Sequence, residues 1–299
     1  MKILLKKFAP LGVKSKGLHK MKRILTVQDI SCVGKCSLTV ALPIISAAGV
    51  EAGILPTAVL STHTMFKKFT FKDLTDEITP ISEAWQELGI DFDAIYTGYL
   101  GSFEQIALVD KLFSDFKKDT GFIMIDPVMA DNGKLYPGFT EEFAAKMAKL
   151  SSKADLVVPN LTEASFMLGI PYNPNYDEEY IRSVLKKLTG LGAKRAALTG
   201  ISFEEDKIGV YYYDSTTDSY FSYFNEKLPT SYHGTGDIYA SSALGAIMSG
   251  ISIENSLSVA VDYTLECMKE TAKDENRRFY GVNFESALPF YIEKIKSYK

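Results

Sequence analysis

The sequence predicts an α/β fold: a three-layer sandwich with a mostly parallel central sheet and helices on both faces. Two observations predict it. From residue 23 onward, short apolar runs of strand length alternate with segments whose apolar residues recur at helical spacing. The runs are apolar throughout rather than at every second position, as strands covered on both faces require. A third observation concerns the sheet edge. IGVYYYD (208–214) and SYFSYFN (219–225) alternate polar with aromatic residues and flank a turn-forming stretch, so they read as a hairpin near that edge.

In chain order, ILTVQ (24–28) is the first strand, and the polar run DISCVGKCS (29–37) is the loop after it. A helix over 37–48 stops at Gly49, where the residue type permits a left-handed turn. GILPTAVL (53–60) is the second strand. Leu74, Ile78, Ile81, Trp85 and Leu88 mark one helix face, and AIYTG (94–98) is a strand stopped by Gly98. Ile106, Val109, Leu112, Phe113 and Phe116 line the next helix, over 103–117. FIMIDP (122–127), DLVVP (155–159) and KRAALTG (194–200) are further strands. Helices are expected over 140–150, 161–169, 177–189, 235–249, 254–272 and 284–297.

Composition narrows the function classes. The formal net charge of −4 over 299 residues offers no basic field for nucleic acid. No apolar run approaches the ~20 residues of a membrane span. Three cysteines, Cys32, Cys36 and Cys267, suit a reducing, cytoplasmic setting. Cys32 and Cys36 have Cx3C spacing, but no second ligand pair lies nearby to complete a zinc site. Residues 1–20 carry six lysines and no acid, leaving a net charge of −10 on the remainder. They read as a disordered basic extension, and residues 21–299 as a single domain.

In open α/β sheets, ligands bind beyond the carboxyl ends of the strands. The polar residues there are Asp29, Thr57, Tyr99, Asp126, Asn160, Glu163 and Thr199. Gly234-Thr235-Gly236-Asp237 opens a helix. Its glycines let the backbone approach a ligand, and the first-turn N–H groups form an anion hole suited to a transferring phosphoryl group. Asp237 stands where it can accept a proton from an attacking hydroxyl. Each feature has a plainer reading. Thr235 and Asp237 are ordinary first-turn residues, Asp126 can cap a turn before Pro127, and Asn160 with Glu163 can form a capping box. His63 and His233 flank polar loops as ordinary hydrogen-bonding residues.

Taken together, the motifs resemble pyridoxal kinases of the ribokinase superfamily. The matching stretches are ILTVQD (24–29), LPTAVLSTHT (55–64), TGYLGSFEQ (97–105), IDPVMADNGKLY (125–136), DLVVPNLTEASFML (155–168) and HGTGDIYASSALGA (233–246). The resemblance implies a ribokinase-like sandwich and ATP-dependent phosphorylation of the 5′-hydroxymethyl group of pyridoxal, pyridoxine or pyridoxamine. It implies Asp237 as catalytic base, with Gly234, Thr235 and Gly236 as the anion hole. Asp126, Asn160, Glu163 and Thr199 would surround the nucleotide, Asp126 and Glu163 standing nearest Mg²⁺. Asp29, Thr57 and Tyr99 would line the vitamer pocket. A cytoplasmic homodimer follows from the same resemblance, which leaves a monovalent cation open. The chain departs from the family at Gln28-Asp29-Ile30, where Gln-Ser-His is usual. An Asp at that place is similar to hydroxymethylpyrimidine kinases, the nearest alternative; their GTG motif, however, continues with Cys rather than Asp237. A non-catalytic vitamer-binding protein is the alternative from another class.

Overall fold

The computed structural model describes residues 21–299, so the expectation of a disordered extension over 1–20 lies outside the described residues. Strands β1 (Arg23–Ser31), β2 (Glu51–Leu60) and β3 (Phe71–Asp73) form one end of a nine-stranded sheet. It continues through β4 (Phe92–Thr97), β5 (Lys117–Ile125), β8 (Leu156–Val157), β9 (Arg195–Ile201), β10 (Lys207–Asp214) and β11 (Ser219–Glu226). Their order is β11-β10-β9-β8-β5-β4-β1-β2-β3. The pairings β2–β1, β1–β4, β4–β5, β5–β8 and β8–β9 are all parallel. Only the edges reverse, with β3 antiparallel on β2 and the β10–β11 hairpin antiparallel on β9.

Helices cover both faces. On one side α2 (Thr75–Glu87), α3 (Phe103–Phe116), α4 (Glu141–Ser151), α5 (Leu161–Leu168) and α6 (Glu178–Gly190) bury a core with Leu25, Val27, Ile95, Ile123 and Ile125. On the other, α1 (Leu38–Ala47), α7 (Thr235–Met248), α8 (Ile253–Lys273) and α9 (Phe284–Ser297) pack on Ile24, Ala94, Tyr96, Met124 and Leu156. Neighbouring residues of each central strand thus enter opposite cores, which is why those strands read as continuously apolar. Among the described residues, no helix is long and apolar enough to cross a membrane.

The structure differs from the sequence expectation in four places. β1 does not stop at Gln28 but runs to Ser31, through a register shift against β2 between Gln28 and Ile30. Asp29 therefore sits on a bulge in a strand, not in the loop. The short strand β3 had no apolar signal, because all three of its residues are exposed. β5 begins at Lys117, directly after α3. Finally, β6 (Ala130–Asp131) and β7 (Lys134–Leu135) form a small separate hairpin. Its turn is Asn132-Gly133, with φ of +51° and +76°; two left-handed residues at a two-residue turn are what an Asn-Gly pair favours.

Candidate active site

The carboxyl ends of the parallel strands converge on the N-terminus of α7. Gly234 caps that helix with φ +80° and supplies no side-chain cap. The first helical bond is Ile238 N–H to the Gly234 carbonyl, at 3.1 Å. The amides of Thr235, Gly236 and Asp237 find no acceptor among the described residues, so three N–H groups point out of the helix end. A Cβ on Gly236 would meet nothing within 4 Å, so a ligand can approach the backbone there. A Cβ on Gly234 would lie 2.2 Å from the Lys35 carbonyl oxygen, so only glycine admits the loop over 32–37. A Cβ on Gly281 would likewise lie 2.5 Å from Lys35 Cβ. Lys35 Nζ donates to Asn283 Oδ1 at 3.1 Å and Glu285 Oε2 at 2.9 Å, which fixes this loop against the C-terminal part of the chain.

A cavity of about 550 Å³ opens in front of the helix end. Asp126, Asn160, Glu163, Thr199 and residues 233–237 all line it, so the structure gathers the expected phosphate and nucleotide residues at one place. Its far side is formed by the 225–232 segment and α8, with Tyr136 on the flank. Asn160 and Glu163 do form a capping box, and that arrangement also builds the cavity wall. Asn160 Nδ2 donates to the Ala130 carbonyl, at 2.8 Å. Glu163 accepts from the amides of Asn160 and Met129, at 2.9 and 3.2 Å. Thr199 pairs with Asn160 across an isolated bridge, and its hydroxyl is held by the Pro159 carbonyl.

Electrostatically the carboxylates of the site act on one another. Burial holds the Asp126 carboxyl well above the usual carboxylate range, and the charges of Glu163 and Asp237 raise it further. Glu163 is also raised by burial, against the pull of its backbone amides. Asp237 is pushed up to about 6, by burial first and then by the charge of Asp29, while the Ser37 amide opposes the shift. The Asp126 amide donates to the Thr97 carbonyl at 2.9 Å, but its carboxylate has no hydrogen-bond partner among the described residues, whereas both Glu163 oxygens are taken by amides. Of the two carboxylates expected beside the metal, Asp126 is therefore the one with lone pairs to give. Among the described residues, no three His, Cys, Asp or Glu side chains form a group that would hold a metal ion alone. The donors suit a hard cation that brings phosphate oxygens with it, as Mg²⁺ does.

The remaining expected residues, Asp29, Thr57 and Tyr99, do not line the cavity. Asp29 is 6% exposed, and its charge acts on Asp237, on Cys36 and on Tyr99. Thr57 is fully buried. Its hydroxyl donates to the Tyr99 carbonyl at 3.3 Å, so it holds the turn that carries Tyr99 instead of facing a ligand. The Tyr99 ring rests against Phe139, with centroids 5.7 Å apart. Cys36 is buried and Cys32 exposed, and neither has metal-ligand company.

Two features escaped the sequence reading. The rings of His63 and His233 meet edge-on, 5.9 Å apart, with His233 in the cavity wall, and burial together with the His233 charge lowers the His63 pKa. Nothing in the local sequence of either histidine shows that they meet. The β6–β7 hairpin brings Gly133 N–H onto the Thr162 hydroxyl at 3.0 Å, beside the cavity. Its Asn132-Gly133 turn was a readable signal.

With this geometry in view, the comparisons with known proteins are direct. A model of the phosphomethylpyrimidine kinase family matches residues 44–280. This chain belongs to that family. Among solved structures, a phosphomethylpyrimidine kinase homologue from Bacteroides thetaiotaomicron, crystallised with pyridoxal, is 38% identical. It superposes with a TM-score of 0.86 over 91% of this chain and 96% of that one. The pyridoxal kinase of Actinobacillus pleuropneumoniae is 26% identical over 93% of this chain and 98% of its own length. The pyridoxine kinase of Bacillus subtilis is 28% identical, and that match spans 61% of this chain and 66% of that protein. The phosphomethylpyrimidine kinase family thus joins two neighbouring vitamin chemistries, and the fold here is the ribokinase-like sandwich that its members share.

Proposed function

We propose that this protein transfers the γ-phosphoryl group of ATP to the 5′-hydroxymethyl group of a pyridoxal-type vitamer, the step that salvages pyridoxal 5′-phosphate. The observation that carries the reading is the position of Asp237. It stands at a helix end with three amides unpartnered among the described residues, in the wall of the cavity that Asp126 and Glu163 also line. The nucleotide fills the cavity, with its phosphates facing the helix end. The vitamer hydroxyl enters from the Asp29 and Tyr99 side.

Asp237 accepts the hydroxyl proton as the oxygen attacks phosphorus in line. The amides of 235–237 stabilise charge on the transferring group, and ADP leaves toward Thr199. Asp126, seconded by Glu163, would hold Mg²⁺, which neutralises phosphate charge. Residues 21–299 act as one catalytic unit. A cytoplasmic homodimer and a monovalent cation near the phosphates belong to the same proposal.

Hydroxymethylpyrimidine phosphorylation is the second reading, favoured by the family model and by an acid at position 29. A purely binding role has no need of an acid placed like Asp237. The deciding experiment measures ADP release with pyridoxal, pyridoxine, pyridoxamine and hydroxymethylpyrimidine in parallel, with and without Mg²⁺. Turnover of the three vitamers above the pyrimidine is expected. A preference for the pyrimidine would overturn the vitamer assignment.

A further inference from the structure

The far wall of the cavity is built from the end of β11 and from α8, and one acid behind that wall joins the two. α8 lines the cavity with Val261, Leu265 and Met268, a stripe at helical spacing. One position further on, Asp262, Glu266 and Lys269 form a second stripe. That stripe faces a separate cavity of about 330 Å³ between β11, α8 and α9. Asn225 and Leu265 line both cavities, so they form the partition between them.

Asp262 gathers the contacts behind this partition. Its side chain is only 11% exposed. Its Oδ1 accepts from the Tyr223 hydroxyl and from Asn225 Nδ2, both at 2.8 Å, and its Oδ2 accepts from Lys294 Nζ at 2.8 Å. Asn225 Oδ1 accepts in turn from the Glu226 amide, at 2.7 Å. These contacts fix the Asn225 amide in one orientation. Turned over, it would set its oxygen against the carboxylate and its NH₂ against a backbone N–H. The carboxylate charge strengthens each bond made to it. α8 thus holds the backbone of residues 225–226, and Lys294 ties α9 to the same acid.

A nucleotide whose phosphates meet the N-terminus of α7 extends its nucleoside toward this wall. The groups that meet the phosphates are anchored elsewhere: Asp126 and Thr199 follow or belong to parallel strands, and Gly234 is seated against the Lys35 carbonyl. Loosening the wall changes the fit of the nucleoside and leaves the phosphoryl-transfer groups in place.

We propose that Asp262 is a positioning residue for the nucleoside end of ATP. It does not line the nucleotide cavity itself; it sets the width of that cavity by holding Asn225 to α8. This rests on the phosphoryl-transfer reading above, and on its nucleotide half alone.

The test measures ADP binding by calorimetry beside steady-state kinetics with ATP and pyridoxal. The variants are Asp262→Ala, Asp262→Leu, which keeps the volume should the smaller side chain fail to fold, Asp262→Asn and Asn225→Ala. Asp262→Ala and Asp262→Leu should each raise the ADP Kd and the ATP KM about tenfold, as loss of a hydrogen bond to a charged group supports, with kcat and the pyridoxal KM within about twofold. Asp262→Asn keeps an oxygen toward Tyr223 and Asn225, so it should restore both constants to within about threefold of the wild type. On the Asn225→Ala background, removing Asp262 should add less than about twofold, because its effect passes through Asn225. An unchanged ADP Kd in both Asp262→Ala and Asp262→Leu, a pyridoxal KM that rises in step with the ATP KM, or effects that multiply in the double variant overturn the assignment of Asp262 and leave the kinase reading standing. A wild type that binds no ADP overturns the nucleotide reading and this proposal with it. A wild type that binds ADP but does not phosphorylate pyridoxal overturns the vitamer reading alone, and the ADP Kd values still decide the role of Asp262.

Discussion

Replacing Asp237 by Asn separates the chemical role of this side chain from its structural one, because the two respond in opposite directions. The amide keeps the shape of the carboxylate, and its oxygen still accepts from the Ser37 amide, but it cannot take a proton. Loss of a general base lowers kcat by about 10²–10⁴-fold. The folded pKa is about 6 against an ordinary 3.8. The group is raised on folding, so its contribution to stability is present below 3.8 and is lost as pH rises through 6. At about 1.4 kcal/mol per pH unit this loss has a ceiling near 3 kcal/mol, and partial exposure to solvent reduces it to about 1–2 kcal/mol. Asp237→Asn has no such loss, so at pH 8 it should melt a few degrees above the wild type. The wild-type kcat/KM should fall below about pH 6 as the base protonates, and that limb should vanish in the variant. The assay is ADP release across pH 5–9 beside thermal melts in the same buffers, with ATP binding measured separately and expected within about twofold. A variant that keeps more than about a tenth of kcat, or one that melts below the wild type at pH 8, refutes the reasoning.

Two further outcomes follow from the same geometry. Gly234→Ala forces a Cβ to within 2.2 Å of the Lys35 carbonyl at φ +80°; it should cost about 3 kcal/mol and remove most turnover, read by melting temperature and kcat together. Tyr96→Phe removes a fully buried hydroxyl that has no hydrogen-bond partner among the described residues, so stability by urea titration should stay level or rise by up to about 1 kcal/mol, with kcat within about twofold; a larger loss of stability would show that the hydroxyl is paired through Gln28, Ser241 or a water.

The sequence carried the layered architecture because the physics behind it is local. Val27, Ile95 and Ile125 face one core while Ile24, Ala94 and Met124 face the other, so every central strand advertises burial on both sides. β3 advertised nothing, since Phe71, Lys72 and Asp73 are all exposed and gain their strand geometry only from pairing with β2. The extension of β1 was hidden for a related reason. Asp29 and Ser31 are polar yet buried, and hydropathy alone reads such residues as loop.

The site was legible where chemistry is contiguous in the chain, as in Gly234–Asp237. It was less legible where contacts are long-range. Thr57 serves Tyr99 across 42 positions, and His63 meets His233 across a far longer span. The division of labour between Asp126 and Glu163 was also out of reach, because both are acids at strand ends. Only the structure shows that backbone amides have already claimed one of them.

The contact of Lys35 with Gly234, Gly281, Asn283 and Glu285 has a consequence for how the enzyme comes into being during synthesis. The loop over 32–37 emerges early but meets its seat only when residues some 250 positions later have been made. Bringing such distant segments together carries a loop-closure cost that grows slowly with length, yet it cannot begin before the later segment exists. A nascent chain halted after α7 would already contain the anion hole and every acid of the cavity. It would still lack the clamp that presses the 32–37 loop onto Gly234. Phosphoryl transfer should therefore appear abruptly, near the end of translation, and partial products should stay silent.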